Sequence, residues 1–255
     1  MELDKIETKI NNLPTAEERD LFEGKEETEL EGRKAIWNVT DDRLAEVVSD
    51  KYTIVQHEDF FPQLTEALTL SGHEIKEVEV KDDREVVFLE AIFDREKIAE
   101  GIFTGIRAGN SFNRTCRAFV EAYAFRVICS NGLIGKEIFG RAGAIHVGAV
   151  DARDLIDKIE NQLPVAEKKV RELREKALGA HIEIDEAEQL FVELNVGKRH
   201  KEYVFSQIDA NNTDVWNLYN LTTEYIENEM ERSELGRADA HRSANKILLS
   251  VGEDL

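Results

Sequence analysis

The residues best suited to binding an anion lie in one stretch near the middle of the chain, from Arg107 to Arg141. Between residues 101 and 150 the sequence holds six cationic side chains and two acidic ones, whereas the whole chain carries a net charge of −20. The cations are Arg107, Arg114, Arg117, Arg126, Lys136 and Arg141. Five of them are arginine, whose planar guanidinium can donate two hydrogen bonds to one phosphate group. This local excess of positive charge indicates a phosphate-binding surface.

Aromatic residues alternate with these cations along the same stretch. They are Phe103, Phe112, Phe119, Tyr123, Phe125 and Phe139. Single-stranded nucleic acid is bound where cations follow the backbone and aromatic rings stack on the bases. We therefore expect the six cations to contact phosphate and Phe112 or Tyr123 to stack on a base. The alternative is that the arginines pair with acidic helices of the second half and that the aromatic rings belong to the core.

Other acidic residues and histidines do not form a recognisable catalytic pattern. His57-Glu58-Asp59 has ligand-type side chains, but three adjacent residues cannot all face one ion, and a helix N-terminus is the expected role. Glu224, Glu227 and Glu231 share one helix face without the Glu-x-x-His pair of bundle-core metal sites. His146 stands alone on an apolar segment and is expected to be a hydrogen-bonded core histidine. The sequence predicts no catalytic residue, no metal ligand and no cofactor.

Cys116 and Cys129 are the only two cysteines. They are too few for a disulfide framework, so both are interpreted as reduced core thiols. Cys116 lies between Arg114 and Arg117, which could lower the pKa of its thiol. A buried structural thiol is the interpretation that we favour.

The elements that must position the basic stretch are strands. The hydrophobic patterns predict strands at 35–39, 44–48, 52–55, 101–107 and 114–128, a hairpin over 73–93, and a turn at 108–111. An Ala-rich helix over 113–124 is the alternative to the last strand, and the β-branched and aromatic residues from 123 to 129 favour the strand. An amphipathic helix is predicted over 57–72. After residue 151 the pattern becomes helical. A long helix to residue 178 is expected to be kinked or interrupted at Pro164, and further helices are expected at 185–194, 201–207, 213–231 and 237–251.

These patterns predict an α+β fold in three parts. Residues 1–32 contain eleven acidic and four basic residues, and they are expected to form an acidic, partly disordered arm with a short helix after Pro14. Residues 33–150 are expected to form a mostly antiparallel sheet with one packed helix. Residues 151–255 are expected to form a helical region that packs on it.

Composition narrows the class of protein. Charged residues make up 34% of the chain and hydrophobic residues 42%, as expected for a folded core with a highly charged exterior. No apolar run approaches the roughly 20 residues of a membrane span. The first residues have no basic start and no apolar signal core. We therefore expect a cytoplasmic location, in the host cytoplasm if the protein is viral, and no membrane partner.

Three segments resemble landmarks of a known family. They are VVSDKYTIVQHEDFFPQL, AFRVICSNGL and VWNLYNLTTEYIENE, in that order. They resemble the phage/plasmid-related family known as domain of unknown function 932, over roughly residues 33–250. Membership of this family would imply that the protein functions in a mobile element such as a phage or plasmid. The resemblance assigns no catalytic residue to this sequence. A similarity to ring-forming single-strand annealing proteins is an analogy at the level of the fold.

We expect a non-catalytic nucleic-acid-binding protein of a virus, plasmid or other mobile element. It would bind or anneal single-stranded DNA, or bind duplex DNA, and form a homo-oligomer. One alternative is an oligomeric scaffold or virion-associated protein whose arginines pair with acidic helices between subunits. A third hypothesis is a metal-dependent nuclease or hydrolase whose acidic residues only the fold brings together.

Overall fold

The computed structural model describes residues 7–23, 28–72, 75–99, 102–126, 131–133, 141–144, 146, 150–208, 213–232 and 234–250. The chain divides into two compact units. The first comprises Met1–Arg95, Gly105–Glu121 and Arg141–Asn161, and the second comprises Glu96–Thr104, Ala122–Gly140 and Gln162–Leu255. The units interleave along the sequence, whereas the sequence predicts contiguous parts at residues 1–32, 33–150 and 151–255.

The first unit begins with a three-stranded antiparallel sheet. Its strands are β1 (Ala16–Glu23), β2 (Thr28–Asn38) and β3 (Arg43–Ser49), in the order β1-β2-β3. Ala16, Ile36 and Val48 are buried on one face, where they pack with Phe112. The strands predicted at 35–39 and 44–48 are therefore confirmed.

The acidic arm predicted over residues 1–32 is wrong for residues 16–23 and 28–32, which are strands. The main chain of β1 pairs with β2 in the register Ala16↔Asn38 and Glu18↔Ile36. The residues of β1 from Glu17 to Asp20 are exposed. Their charge is therefore compatible with a strand, because hydrogen bonds between main chains hold the strand while the side chains stay in water. The helix predicted after Pro14 is replaced by the start of β1.

A second sheet has six strands. They are β4 (Ile75–Asp83), β5 (Val86–Ala99), β6 (Ile102–Ser111), β7 (Ala118–Arg126), β8 (Asn131–Leu133) and β9 (Arg141–Ala144). The order is β4-β5-β6-β7-β8, and β9 also pairs with β7. The hairpin of β4 and β5 is confirmed. The turn predicted at 108–111 is wrong, because β6 continues to Ser111. The strand predicted at 52–55 is also absent from this described segment.

The described helices agree closely with the predicted pattern. They are α1 (His57–Leu70), α2 (Ala152–Glu160), α3 (Leu163–Gly179), α4 (Ile184–Glu193), α5 (Lys198–Gln207), α6 (Val215–Asn228) and α7 (Glu234–Leu249). Helix α1 buries Phe60, Phe61 and Leu64. Pro164 lies in the first turn of α3, where a missing N–H has no cost, so the predicted interruption is confirmed. The α+β class is confirmed, and none of the described helices has the length and apolarity to cross a membrane.

Candidate nucleic-acid interface

Two of the predicted phosphate ligands, Arg114 and Arg117, are exposed on the segment that joins β6 to β7. Neither guanidinium forms an ion pair with any residue in the described part of the chain. The sequence from Ala108 to Val120 contains no Asp or Glu. Both positive charges are therefore available to an anion from solution.

The segment that carries these arginines is held by local hydrogen bonds. The hydroxyl of Ser111 donates to the carbonyl oxygen of Cys116 at 2.7 Å, and the amide of Cys116 donates back to Ser111 Oγ at 3.1 Å. The amide of Thr115 donates to Asn113 Oδ1 at 3.1 Å. These contacts fix the main chain at both sides of Arg114, so the two guanidinium groups project from an ordered loop.

Arg107 is not a surface cation, although the sequence predicts it to be one of the six phosphate ligands. Its side chain is only 1% exposed, and Nε lies 3.4 Å from Glu90 Oε1. The guanidinium also lies over the ring of Phe88, 4.4 Å from its centre. A buried arginine held in this way cannot reach a phosphate, so the prediction for Arg107 is wrong in this structure.

Arg141, on β9, is partly buried against β7. Its guanidinium lies 3.7 Å from the centre of the Phe119 ring, and Nε lies 3.8 Å from Glu121 Oε2. The predicted alternative of internal pairing thus holds for Arg107 and Arg141. Their acidic partners are on strands β5 and β7, not on the acidic helices of the second half.

The predicted stacking residues do not form a platform in the described residues. Phe112 is fully buried, and its ring stacks on His57 with the ring centres 4.0 Å apart. It has no face to offer to a base, so its predicted role is wrong. The side chains of Tyr123 and Arg126, and all of Lys136, lie outside the described part of the structure.

Beneath the loop lies a buried polar cluster that the sequence analysis missed. The amide Nδ2 of Asn110 donates to the carbonyl oxygen of Val55 at 2.7 Å and to His57 Nδ1 at 3.0 Å. The hydroxyl of Tyr52 is hydrogen-bonded to His146 Nδ1. No spacing in the sequence links His57 and His146 to Asn110 and Tyr52. The expectation of a hydrogen-bonded core histidine is confirmed for His146.

Burial is the main cause of the shifted pKa values in this cluster. It lowers the pKa of His57 to about 3 and that of His146 to about 4, and it raises the pKa of Tyr52. Burial also raises the pKa of the Cys116 thiol, and this effect exceeds the lowering effects of Ser111, Arg141 and Arg107. An activated thiolate at Cys116 is therefore not supported. The described residues contain no group of three or more His, Cys, Asp or Glu placed to hold a metal ion.

The comparison with protein families agrees with the resemblance of the three sequence segments. Residues 45–248 match the family model described as "Domain of unknown function (DUF932)". No curated protein and no solved structure matches the chain. Because the matched range covers most of the 255 residues, the chain belongs to the DUF932 family.

Proposed function

We propose that this protein binds single-stranded nucleic acid without catalysing a reaction, and that Arg114 and Arg117 are its principal phosphate ligands. The observation that carries this proposal is the pair of exposed guanidinium groups on one acid-free loop. Of the six predicted cations, Arg107 and Arg141 are set aside because they are held by contacts within the protein. Arg126 and Lys136 remain candidates whose side chains are outside the described residues.

The construction of the loop favours binding over a merely solvated surface. An arginine on a mobile loop loses main-chain conformational entropy when it binds a ligand, and this loss lowers the affinity. On an ordered loop most of that entropy is already lost before binding. The hydrogen bonds of Ser111, Asn113 and Cys116 supply that order. Guanidinium groups three residues apart suit neighbouring phosphates of a flexible strand, because the strand can adjust its own spacing to theirs.

The resemblance to phage and plasmid proteins suggests which nucleic acid is bound. Proteins that act on mobile elements meet single-stranded DNA during replication and recombination, and we therefore propose DNA in the cytoplasm as the natural partner. A homo-oligomer would multiply the number of loops on one strand and raise the affinity without new contacts. A single loop alone is expected to bind weakly.

A titration of fluorescein-labelled oligothymidylate at 50 and 200 mM NaCl, followed by fluorescence anisotropy, tests the proposal. Two neutralised phosphates predict a slope of log affinity against log salt of about −1.4, or a roughly sevenfold loss between these concentrations. The variant Arg114→Gln with Arg117→Gln should lose this salt-dependent binding. The matched control is Lys168→Gln with Arg171→Gln, which removes the same charge from exposed positions of α3. Absence of binding at 50 mM NaCl, or equal effects of the two variants, contradicts the proposal.

A further inference from the structure

The second unit contains a cavity that the nucleic-acid proposal does not use. Its volume is about 250 Å³, and it lies between the turn that follows α4, the start of α5, and helices α6 and α7. Its floor is buried and includes His200, Thr222 and Ile226. Its rim is exposed and includes Asn195, Arg232 and Asp239. The cavity therefore combines a closed, partly apolar floor with charged groups at its mouth.

His200 gives the floor a fixed hydrogen-bond acceptor. The residue is only 6% exposed. Its Nε2–H donates to the carbonyl oxygen of Thr222 at 2.9 Å, and its ring stacks on Tyr225 with the centres 4.2 Å apart. Nδ1 is then the unprotonated nitrogen, and no described residue donates to it. Burial lowers the pKa of His200 to about 4, so the ring stays neutral and Nδ1 stays an acceptor at physiological pH.

The start of α5 supplies positive potential on the same side of the cavity. Its N-cap is Gly197, which lines the cavity and has no side chain to cap the helix. The first hydrogen bond of α5 runs from the amide of Lys201 to the carbonyl oxygen of Gly197 at 3.0 Å. The three preceding amides therefore have no partner inside the helix, and they stabilise an anion at this end. Arg232 adds a positive charge at the rim, where the negative charge of Asp239 is paired with Arg242.

Together these groups define the ligand. The helix N-terminus and Arg232 select an anionic group, the unpartnered Nδ1 of His200 selects a hydrogen-bond donor close to it, and Ile226 with its apolar neighbours selects a short aliphatic body. We propose that this cavity binds a small carboxylic acid with a hydroxyl or ammonium group on its α carbon and an aliphatic side chain. This site is independent of the loop that carries Arg114 and Arg117.

Isothermal titration calorimetry with three acids of the same carbon skeleton tests the site. Leucine carries an α-ammonium group, 2-hydroxy-4-methylpentanoate an α-hydroxyl group, and 4-methylpentanoate neither. We expect at least one of the first two to bind and the third to bind at least about tenfold more weakly, because a buried acceptor without a donor is penalised. The comparison of the first two identifies the donor.

The variant Arg232→Gln should weaken binding by about tenfold through loss of a charge-assisted hydrogen bond. Arg171→Gln, an exposed change on α3 away from the cavity lining, should leave binding unchanged. Saturation with the tightest acid should also shift the ¹⁵N resonance of His200 Nδ1 in the full-length protein. The proposal is overturned if none of the acids binds, if 4-methylpentanoate binds as well as the others, if Arg232→Gln has no effect, or if the Nδ1 resonance does not move.

Discussion

Arg114 combines an exposed guanidinium with a strained main chain. Its φ angle is +60°, in the left-handed region, which costs a residue with a Cβ atom roughly 1 kcal/mol. Hydrogen bonds on both sides of the residue keep the loop in this conformation. Strain of this kind is found at functional positions when the surrounding structure can support it. At position 114 the binding of phosphate favours arginine, whereas the stability of the fold favours glycine.

Replacement of Arg114 by glycine separates the two effects. Glycine adopts a positive φ without strain, so Arg114→Gly should leave the free energy of unfolding unchanged or raise it by up to about 1 kcal/mol. It should still weaken binding to oligothymidylate a few-fold. Arg117→Gly, at a position without positive φ, should weaken binding similarly but lower the free energy of unfolding by about 0.5–1 kcal/mol. Urea unfolding and anisotropy measure both quantities. A gain in binding for Arg114→Gly would contradict the assigned role.

His57 is one of two buried histidines, with His146, that should couple stability to pH in the first unit. Burial lowers its pKa in the folded protein to about 3 from an ordinary value of 6.5. The unfolded chain therefore takes up a proton between pH 6.5 and 3 that the folded chain does not, and stability falls as the pH is lowered through this range. The contribution of one such histidine approaches about 1.4 kcal/mol per pH unit. Urea unfolding of wild-type protein and His57→Gln between pH 7 and 4.5 should show a shallower decline for the variant; equal slopes would contradict the assignment.

At the scale of elements, Arg107 belongs to the construction of the sheet. The side chain crosses from β6 to Glu90 on β5, and Glu90 Oε2 also lies 3.0 Å from Lys81 Nζ on β4. Glu90, on β5, thus pairs with one cation on β4 and with one on β6, so it connects three neighbouring strands at one edge of the sheet. Because Arg107 is buried, its pair with Glu90 differs from the exposed ion pairs of the chain, which contribute little to the free energy of unfolding.

Removal of Arg107 should therefore destabilise the fold without a direct effect on nucleic-acid binding. Arg107→Gln leaves Glu90 without its buried partner, and we expect a loss of about 3 kcal/mol in the free energy of unfolding. Arg117→Gln, at an exposed position, should change it by less than about 0.5 kcal/mol. Under conditions where both variants are folded, only Arg117→Gln should weaken binding to oligothymidylate. The reverse pattern would show that Arg107 is a phosphate ligand after all.

The same strands show what the sequence can and cannot predict. Helix α1 and the hairpin of β4 and β5 follow directly from the spacing of apolar residues. The end of β6 does not, because Gly109 and Asn110 are typical turn residues. In the fold, a Cβ atom on Gly109 would lie 2.5 Å from the ring of Phe119, and the amide of Asn110 is bound to Val55 and His57. Both residues are selected by contacts with distant segments, which a local pattern does not contain.

The candidate site shows the same limit. The same residue type stands at positions 107, 114 and 117, within one positively charged stretch of the sequence. Nevertheless, Arg107 is buried on a strand, whereas Arg114 and Arg117 are exposed on a loop. Arg107 differs in its contacts with Glu90 and with the ring of Phe88 on the neighbouring strand β5, and these contacts depend on the register of the sheet. The position of the basic stretch could therefore be predicted from the sequence. The number of its cations that are exposed and able to bind an anion could not.

At the scale of the whole molecule, a net charge of −20 opposes the approach of a polyanion. The Debye length is about 30 Å at 10 mM salt and about 10 Å at 100 mM. At the lower salt concentration the repulsion from the whole protein reaches the incoming strand, whereas at the higher one only the nearby loop acts. Long-range charge mainly changes the association rate, while close contacts mainly change the dissociation rate.

We therefore expect the association rate with oligothymidylate to rise between 10 and 50 mM NaCl, while the dissociation rate rises with salt throughout. Stopped-flow anisotropy measures both rates. The variant Glu175→Gln with Glu188→Gln, at exposed positions of α3 and α4, should speed association at 10 mM NaCl without changing dissociation. An uncharged peptide nucleic acid of the same sequence offers no phosphate and should not bind. An association rate that falls steadily from 10 mM NaCl upwards would mean that the positive loop outweighs the acidic remainder even at long range, and that local charge alone governs the encounter.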